Sequence, residues 1–380
     1  MNIAIDINGI TATSGLANYL RLLIKALAAA DSENRYLLYL HSWKLPLLKP
    51  GMIPESHNFS VITQRVPQQA ELIGERLLGL KLAEPFLLRH GVEVFHGASN
   101  ILPKLSRIKS VLTLHHYISP DHPLFSKHLG RMERFYFHAT DASLAEASHI
   151  ITVSDYTRSC IINRFALEPA KVTTIYEGPS EQPPAPARER VAELMRAYGL
   201  TGSYLLFVGP ISEHKNLPRL LEAFALVRAS VPGLKLVVSG NGNPRYLAFV
   251  RERTAALGLA GDTVFTGRTT PEQLAALYAG AAALCYPSLF EGFGYPPLEA
   301  MSTGCPVAAS NAASIPEVVG EAGLLFDPEN TAEMAAAILK AADKELRAGL
   351  IAAGRQQAGK FSWEKTARDT IGIYSKVYNS

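Results

Sequence analysis

Thirteen short runs rich in β-branched and aromatic residues recur along the 380-residue sequence, with helical patterns between them. Seven come early: "NIAIDI" (2–7), "YLLYL" (36–40), "FSVIT" (59–63), "VEVFHG" (92–97), "SVLTLH" (110–115), "HIITVS" (149–154) and "KVTTIY" (171–176). Six follow: "YLLFVG" (204–209), "KLVVSG" (235–240), "TVFTG" (263–267), "AALCYPS" (282–288), "PVAAS" (306–310) and "GLLFD" (323–327). Several are apolar almost without a break, as expected of parallel strands covered by helices on both faces. The stretches "LPRLLEAFALVRAS" (217–230) and "PEQLAALYAGA" (271–281) read as helices, the second opening on a Thr–Pro start signal. Strand and helix alternating at this density predict a doubly wound α/β architecture.

The alternation breaks once, at "GPSEQPPAPARER" (178–190), where proline and charge accumulate and apolar periodicity stops. Such a stretch makes a semi-rigid linker. The reading is two Rossmann-like domains, 1–177 and 191–360, joined by 178–190. The segment 361–380 reads as a last helix that packs back on the first domain. Ligands of open α/β sheets bind outside the carboxyl ends of the strands, so two such sheets facing each other place one site in the cleft between them.

Composition narrows the class. Hydrophobic residues make up 48% and charged residues 19%, which suits large buried cores and excludes a disordered chain. The net charge of +3 is too small to imply nucleic acid. Residues 1–177 hold 18 Lys and Arg against 15 Asp and Glu, and the remainder is balanced at 19 against 19, a hint that the first half meets something anionic. Three cysteines without a close pair fit a reducing compartment rather than a disulfide framework. The N-terminus enters a strand directly, and no run reaches about 18 uninterrupted apolar residues, so the expectation is a cytoplasmic protein.

The chemistry concentrates in "EGFGYPPLE" (291–299). Pro296 and Pro297 can open a helix, which would put Glu299 in its first turn. Gly292 and Gly294 allow close backbone approach, and the free N–H groups of a helix start bind anions, so a diphosphate fits there. Glu299 offers two acceptor oxygens at the spacing of a ribose diol, and Glu291 would reach another part of the same ligand. The structural alternative is that Glu299 answers the helix dipole and Glu291 is a solvated loop acid.

This string resembles the E-x7-E signature of the family 4 retaining nucleotide-sugar glycosyltransferases, which have the two-domain GT-B fold. The text from 291 to 330 is similar to that family's donor-binding half almost throughout, and the similarity covers essentially the whole chain, more weakly in the first half. The resemblance implies that Glu291 lies against the donor sugar, that Glu299 binds the nucleotide ribose, and that backbone amides around Phe293 and Gly294 hold the sugar or diphosphate. It also implies that Lys215, in "VGPISEHKNLPRLLEAF" (208–224), is the phosphate-binding lysine, whose ammonium neutralises the leaving diphosphate. Without the resemblance Lys215 would read as a solvated loop lysine. The arginine the family usually adds is replaced by Pro210 and His214, and His214 could supply that charge only when protonated.

In the first half, "SVLTLHHYISPDHP" (110–123) ends a strand on His115. The residue alone reads as a satisfied structural histidine. The resemblance makes it the histidine of an "HD" motif that touches the donor sugar, with His116 in place of the aspartate. His115, His116 and His122 lack a cysteine or carboxylate partner at ligand spacing, so no metal is expected. The chain also holds no D-x-D, which speaks against the divalent-metal clamp of the other major glycosyltransferase fold. Gly15, in "DINGITATSGLANYLRLL" (6–23), stands where a glycine-rich loop approaches the diphosphate, with Asn18 in place of an arginine; a plain strand-to-helix turn is the alternative. Arg268, after "TVFTG", is a candidate contact for the nucleobase. In "SKHLGRMERFYFHATD" (126–141), basic and aromatic residues mix. The pattern favours an amphipathic helix with its aromatics in the core, and a helix lying on an anionic membrane surface is the alternative.

The resemblance implies a metal-independent hexosyltransferase without a cofactor, moving mannose or a related sugar from a GDP-sugar, with retention, to a glycan or lipid-linked acceptor. Its partners would be the nucleotide-diphosphate sugar, the acceptor and the inner membrane surface, and no nucleic acid. A UDP-sugar donor is the nearest alternative. A nucleotide-dependent oxidoreductase would require G-x-G-x-x-G after the first strand, which "DINGITATSG" does not supply. A catalytically weak nucleotide-binding or scaffold protein is the alternative of another class.

Overall fold

A computed structural model describes residues 1–12, 14–42, 48–66, 68–118, 130–181, 183 and 186–380. The chain divides into two compact units, Met1–Gly178 with Ser362–Ser380, and Pro179–Phe361.

In the first unit the strands are β1 (Asn2–Asp6), β2 (Arg35–His41), β3 (Phe59–Gln64), β4 (Val94–Gly97), β5 (Lys109–Leu114), β6 (His149–Thr152) and β7 (Val172–Thr174). They form one sheet in the order β3-β2-β1-β4-β5-β6-β7. Every pairing is parallel, with Ile3 opposite Tyr36 on one side and Val94 on the other. Strand residues alternate between two cores. Ile3 and Ile5 pack with Leu20, Leu23 and Tyr374, while Ala4 packs with Leu87, Leu112 and Leu144 on the other face. That two-sided burial is the physical reason the runs read as continuously apolar.

The second unit holds β8 (Tyr204–Val208), β9 (Lys235–Ser239), β10 (Thr263–Gly267), β11 (Ala283–Tyr286), β12 (Val307–Ser310) and β13 (Leu324–Phe326). Their order is β10-β9-β8-β11-β12-β13, again all parallel. Leu205, Phe207, Leu236 and Val238 pack under the helix Leu217–Ser230 through Leu220, Leu221 and Phe224. Each of the thirteen strands overlaps one of the thirteen runs read from the sequence, and only β2, β3 and β5 extend past theirs, β2 by one residue at each end and the others by one residue at a single end. The order reverses direction at β1/β4 in the first sheet and at β8/β11 in the second, and crevices of this kind are where doubly wound sheets bind ligands.

The helix boundaries carry local signatures. Thr270 and Gln273 form a reciprocal capping box at the start of the helix Pro271–Gly280. Ser14 accepts a hydrogen bond from the Ala17 N–H, so the first helix begins at Gly15. The terminal helix, Trp363–Tyr378, places Ala367, Ile373, Tyr374 and Val377 in the core beside Ile3 and Ile5. The helix Arg188–Ala197 begins inside the stretch read as linker, and residues 182, 184 and 185 of that stretch lie outside the described residues. So do His122 and Lys127. The described part of 126–141 opens the helix Arg131–Glu146, whose Phe135, Tyr136 and Phe137 are half-buried, so the aromatics are not in the core. Among the described residues no helix is long and apolar enough to cross a membrane. Nor, among them, is any group of three or more His, Cys, Asp or Glu side chains arranged to hold a metal ion.

Candidate active site

In the second unit the loops after β8 and β11, the neighbours at the switch point, meet. The exit from β8 is shaped by Gly240, at φ +150°, beside the end of β9. A Cβ there would stand 1.8 Å from the Gly209 carbonyl oxygen, so only glycine lets the two strand ends run this close. The chain then turns through a short 3-10 segment, Glu213–Lys215, and Asn216 adopts the left-handed conformation at φ +55°. The Asn216 side chain donates to the carbonyls of Pro287 at 3.2 Å and Pro328 at 2.8 Å. The Leu289 N–H donates to the His214 carbonyl at 2.8 Å. These bonds fasten the β8 loop to the loops after β11 and β13.

Lys215 is thereby buried at the carboxyl end of the sheet rather than solvated. Its Nζ donates to the Tyr286 hydroxyl at 2.8 Å and to Glu291 Oε1 at 2.5 Å, and it lies 4.9 Å from the centre of the Tyr286 ring. Burial pushes the Glu291 carboxyl up, but the Lys215 charge and hydrogen bond outweigh it and hold the group below the usual glutamate range. His214 does not supply the missing permanent charge. Burial, and then the Lys215 cation, hold its imidazole below the ordinary histidine value, so it is neutral at neutral pH.

The "EGFGYPPLE" segment forms a loop and then the helix Tyr295–Thr303. Gly294 sits at its N-cap with φ +135°, a conformation that strains any L side chain. Ser314 staples the loop, its hydroxyl lying 3.0 Å from the Glu291 carbonyl and 2.6 Å from that of Phe293. Two expectations need correction here. Pro296 and Pro297 lack N–H groups, so the first turn of this helix presents the Tyr295 N–H and not a full set of donors. Glu299 is the fifth residue of the helix, outside its first turn, and so does not serve the dipole. Its carboxylate is buried and accepts from the Tyr278 hydroxyl at 2.9 Å. Arg268 is exposed, at the end of the edge strand β10, two strands from β8.

In the first unit, Arg21 holds the β1 loop by donating to the carbonyls of Ile10 and Ala12 at 2.9 and 3.2 Å. Gly15 is exposed, with open space where a Cβ would stand. His115, at the end of β5, is held from three sides. Asn100 accepts from its backbone N–H at 2.8 Å, its Nε2 lies 3.0 Å from the Ala98 carbonyl, and its Nδ1 lies 3.4 Å from Glu177. The structure thus gathers Lys215, Glu291, His214 and Phe293 into one cluster with Glu299 close by, and places Gly15 and His115 at strand ends of the other sheet.

The family model Glycosyltransferase Family 4 matches residues 13–180, and the model Glycosyl transferases group 1 matches residues 196–357. Over 377 residues the chain is 32% identical to the O-antigen chain mannosyltransferase B of Escherichia coli, spanning 95% of this chain and 96% of that protein. The chain belongs to glycosyltransferase family 4. This glycosyltransferase is also 30% identical over 281 residues to the MMP alpha-(1->4)-mannosyltransferase of Mycolicibacterium hassiacum, covering 70% of this chain and 65% of that one. Among solved structures, the sucrose-phosphate synthase of Thermosynechococcus elongatus superimposes with a TM-score of 0.76 at 21% identity, over 100% of this chain and 99% of that one. WaaG, a glycosyltransferase involved in lipopolysaccharide biosynthesis, does so with a TM-score of 0.73 at 18% identity, over 98% and 99%. The fold is GT-B.

Motif reading of this glycosyltransferase missed Tyr278, Tyr286 and Glu177. Tyr286 carried a faint signal, a hydroxyl at the carboxyl end of an otherwise apolar strand. Tyr278 sits in the last turn of the helix Pro271–Gly280 and Glu177 in the irregular segment after β7, where nothing local marks them.

Proposed function

We propose that this glycosyltransferase moves a hexose, favoured as mannose, from a GDP-sugar to a hydroxyl of a glycan or lipid-linked acceptor, with retention of anomeric configuration. The mannosyltransferases among its relatives support the sugar, above all the E. coli protein matched along nearly its whole length. The observation that carries the reading is the buried Lys215–Tyr286–Glu291 cluster at the β8/β11 switch point.

In this reading the ammonium of Lys215 faces the diphosphate as charge grows on departure, with backbone amides around Phe293 and Gly294 sharing the load. No metal is needed for that step. Neutral His214 serves as a hydrogen-bonding partner of the phosphates, not as a charge. Glu291 accepts from the sugar hydroxyls and Glu299 from the ribose diol. Arg268 contacts the base, Gly15 offers its N–H to the diphosphate, and His115 touches the sugar. Attack occurs on the face from which the phosphate leaves, and a leaving phosphate oxygen takes the acceptor proton. Glu291, bonded to Lys215, is then a donor ligand and not a covalent nucleophile.

Thermal unfolding with GDP and with UDP tests the donor. A rise in Tm with GDP and none with UDP is expected. A rise with UDP alone would move the reading to a UDP-hexose, and no rise with either would remove the donor assignment.

A further inference from the structure

Glu177 follows β7 at the carboxyl edge of the first sheet and is 1% exposed. Glutamate seldom sits so deep unless a partner compensates it. Its Oε1 lies 3.4 Å from His115 Nδ1, while its Oε2 is buried without a hydrogen-bond partner. No motif singled it out, and the donor chemistry above gives it no task.

The second contact of His115 decides what the pair can be. Its Nε2 faces the Ala98 carbonyl at 3.0 Å, and a carbonyl oxygen only accepts, so Nε2 carries a proton. With that proton placed, a neutral imidazole would turn the Nδ1 lone pair toward the carboxyl. A lone pair and a carboxylate repel, so one proton must lie between them, on Nδ1 or on Glu177. When it is on Glu177, the unpartnered Oε2 belongs to a neutral carboxyl, which burial tolerates far better than a charge.

The groups facing the pair do not compete for that proton. Tyr19 stands edge-on to the His115 ring at 4.5 Å, and its hydroxyl lies 3.2 Å from Thr113 Oγ1. Burial, with a contribution from Glu177, pushes the Tyr19 phenol up, so it stays neutral. His96 has both ring nitrogens 2.7 Å from hydroxyls, those of Thr113 and Tyr374, and burial, then His115, pushes it down to about 3. Burial pushes the Glu177 carboxyl up, and the hydrogen bond and charge of His115 oppose it. The pair sits among uncharged groups that fix its surroundings.

We propose that Glu177 is the positioning residue for His115: together with the Ala98 carbonyl it grips the imidazole by both ring nitrogens, one proton confined between carboxyl and Nδ1, so that the ring keeps a single orientation toward the transferring sugar. This rests on the donor-sugar role proposed for His115. The outer partner of a metal-bound histidine is commonly worth about 10–100-fold in affinity or activity, and an effect of that order is expected here. A glutamine amide can also donate to Nδ1, so Glu177→Gln should preserve the grip and Glu177→Ala should lose it.

The test combines kinetics with NMR of 15N-labelled histidine rings. Wild type should show one solvent-protected proton between Glu177 and the His115 Nδ1, whichever atom carries it, and Glu177→Ala should abolish it and leave the ring exchanging between orientations. Glu177→Ala should also lower kcat by about 10–100-fold while the donor KM moves less than about threefold, and Glu177→Gln should recover most of the loss. Unaltered ring signals in Glu177→Ala, or the lack of any solvent-protected proton between Glu177 and Nδ1 in wild type, overturn the positioning whatever the kinetics. Should Glu177→Ala fail to fold, the wild-type signal decides alone. His115→Ala separates the two readings: if it leaves transfer unchanged, the donor-sugar role fails, and the ring signals still judge the grip.

Discussion

Lys215 and Glu291 are bonded to each other although the reading gives both to the donor, one to its phosphates and one to its sugar. The carboxylate occupies the ammonium that the reading assigns to the diphosphate. In the proposed reading, donor binding would exchange one anion for another at Lys215 and free Glu291 for the sugar hydroxyls. Affinity for a nucleoside diphosphate and rate of transfer should then respond in opposite directions to one substitution. Glu291→Gln removes the competing charge and is expected to tighten GDP binding several-fold by calorimetry while slowing transfer. Lys215→Met should weaken GDP about 10–100-fold, the worth of a charge-assisted hydrogen bond. Weaker GDP binding by Glu291→Gln would contradict the exchange. The carboxyl is depressed in the folded state, so its stabilisation is present above the unfolded glutamate pKa and fades as pH falls through the depressed value.

At the scale of elements, a second buried charge cluster joins β2 to the helix Gln68–Leu78. His41, ending β2, pairs with Glu71 of that helix and lies 3.7 Å from Asp6 of β1. Burial opposes a charge on His41, but the carboxylates of Asp6 and then Glu71 push it up to about 10. A raised value stabilises the fold fully below the unfolded histidine pKa, and the contribution is lost as pH rises through about 10. His41→Gln strands Glu71 and should destabilise the protein by roughly 3 kcal/mol at pH 7, with the deficit shrinking toward pH 10, read from urea unfolding at several pH values. A deficit that stays constant with pH would show that packing, not charge, accounts for it. This cluster was invisible in the sequence, where Asp6, His41 and Glu71 are scattered polar residues. The strands were visible because burial on both faces leaves an unbroken apolar run, a local signal. Lys215 and Glu291 were visible as motif members, but their bond, across 76 positions, was not. Neither was the loss of first-turn donors at Pro296 and Pro297, which depends on where the helix starts.

For the whole molecule, the sequence pattern, the two sheet orders and the relatives agree on a GT-B glycosyltransferase of family 4. The reading adds the sugar, the nucleotide and the stereochemistry. The most direct measurement is transfer by the full-length protein over a panel of GDP- and UDP-sugars with a glycan acceptor, the product's anomeric signal followed by NMR. The account predicts turnover with GDP-mannose and a new linkage with the same anomeric configuration as the donor. A product of opposite configuration, or turnover confined to UDP-sugars, would contradict it.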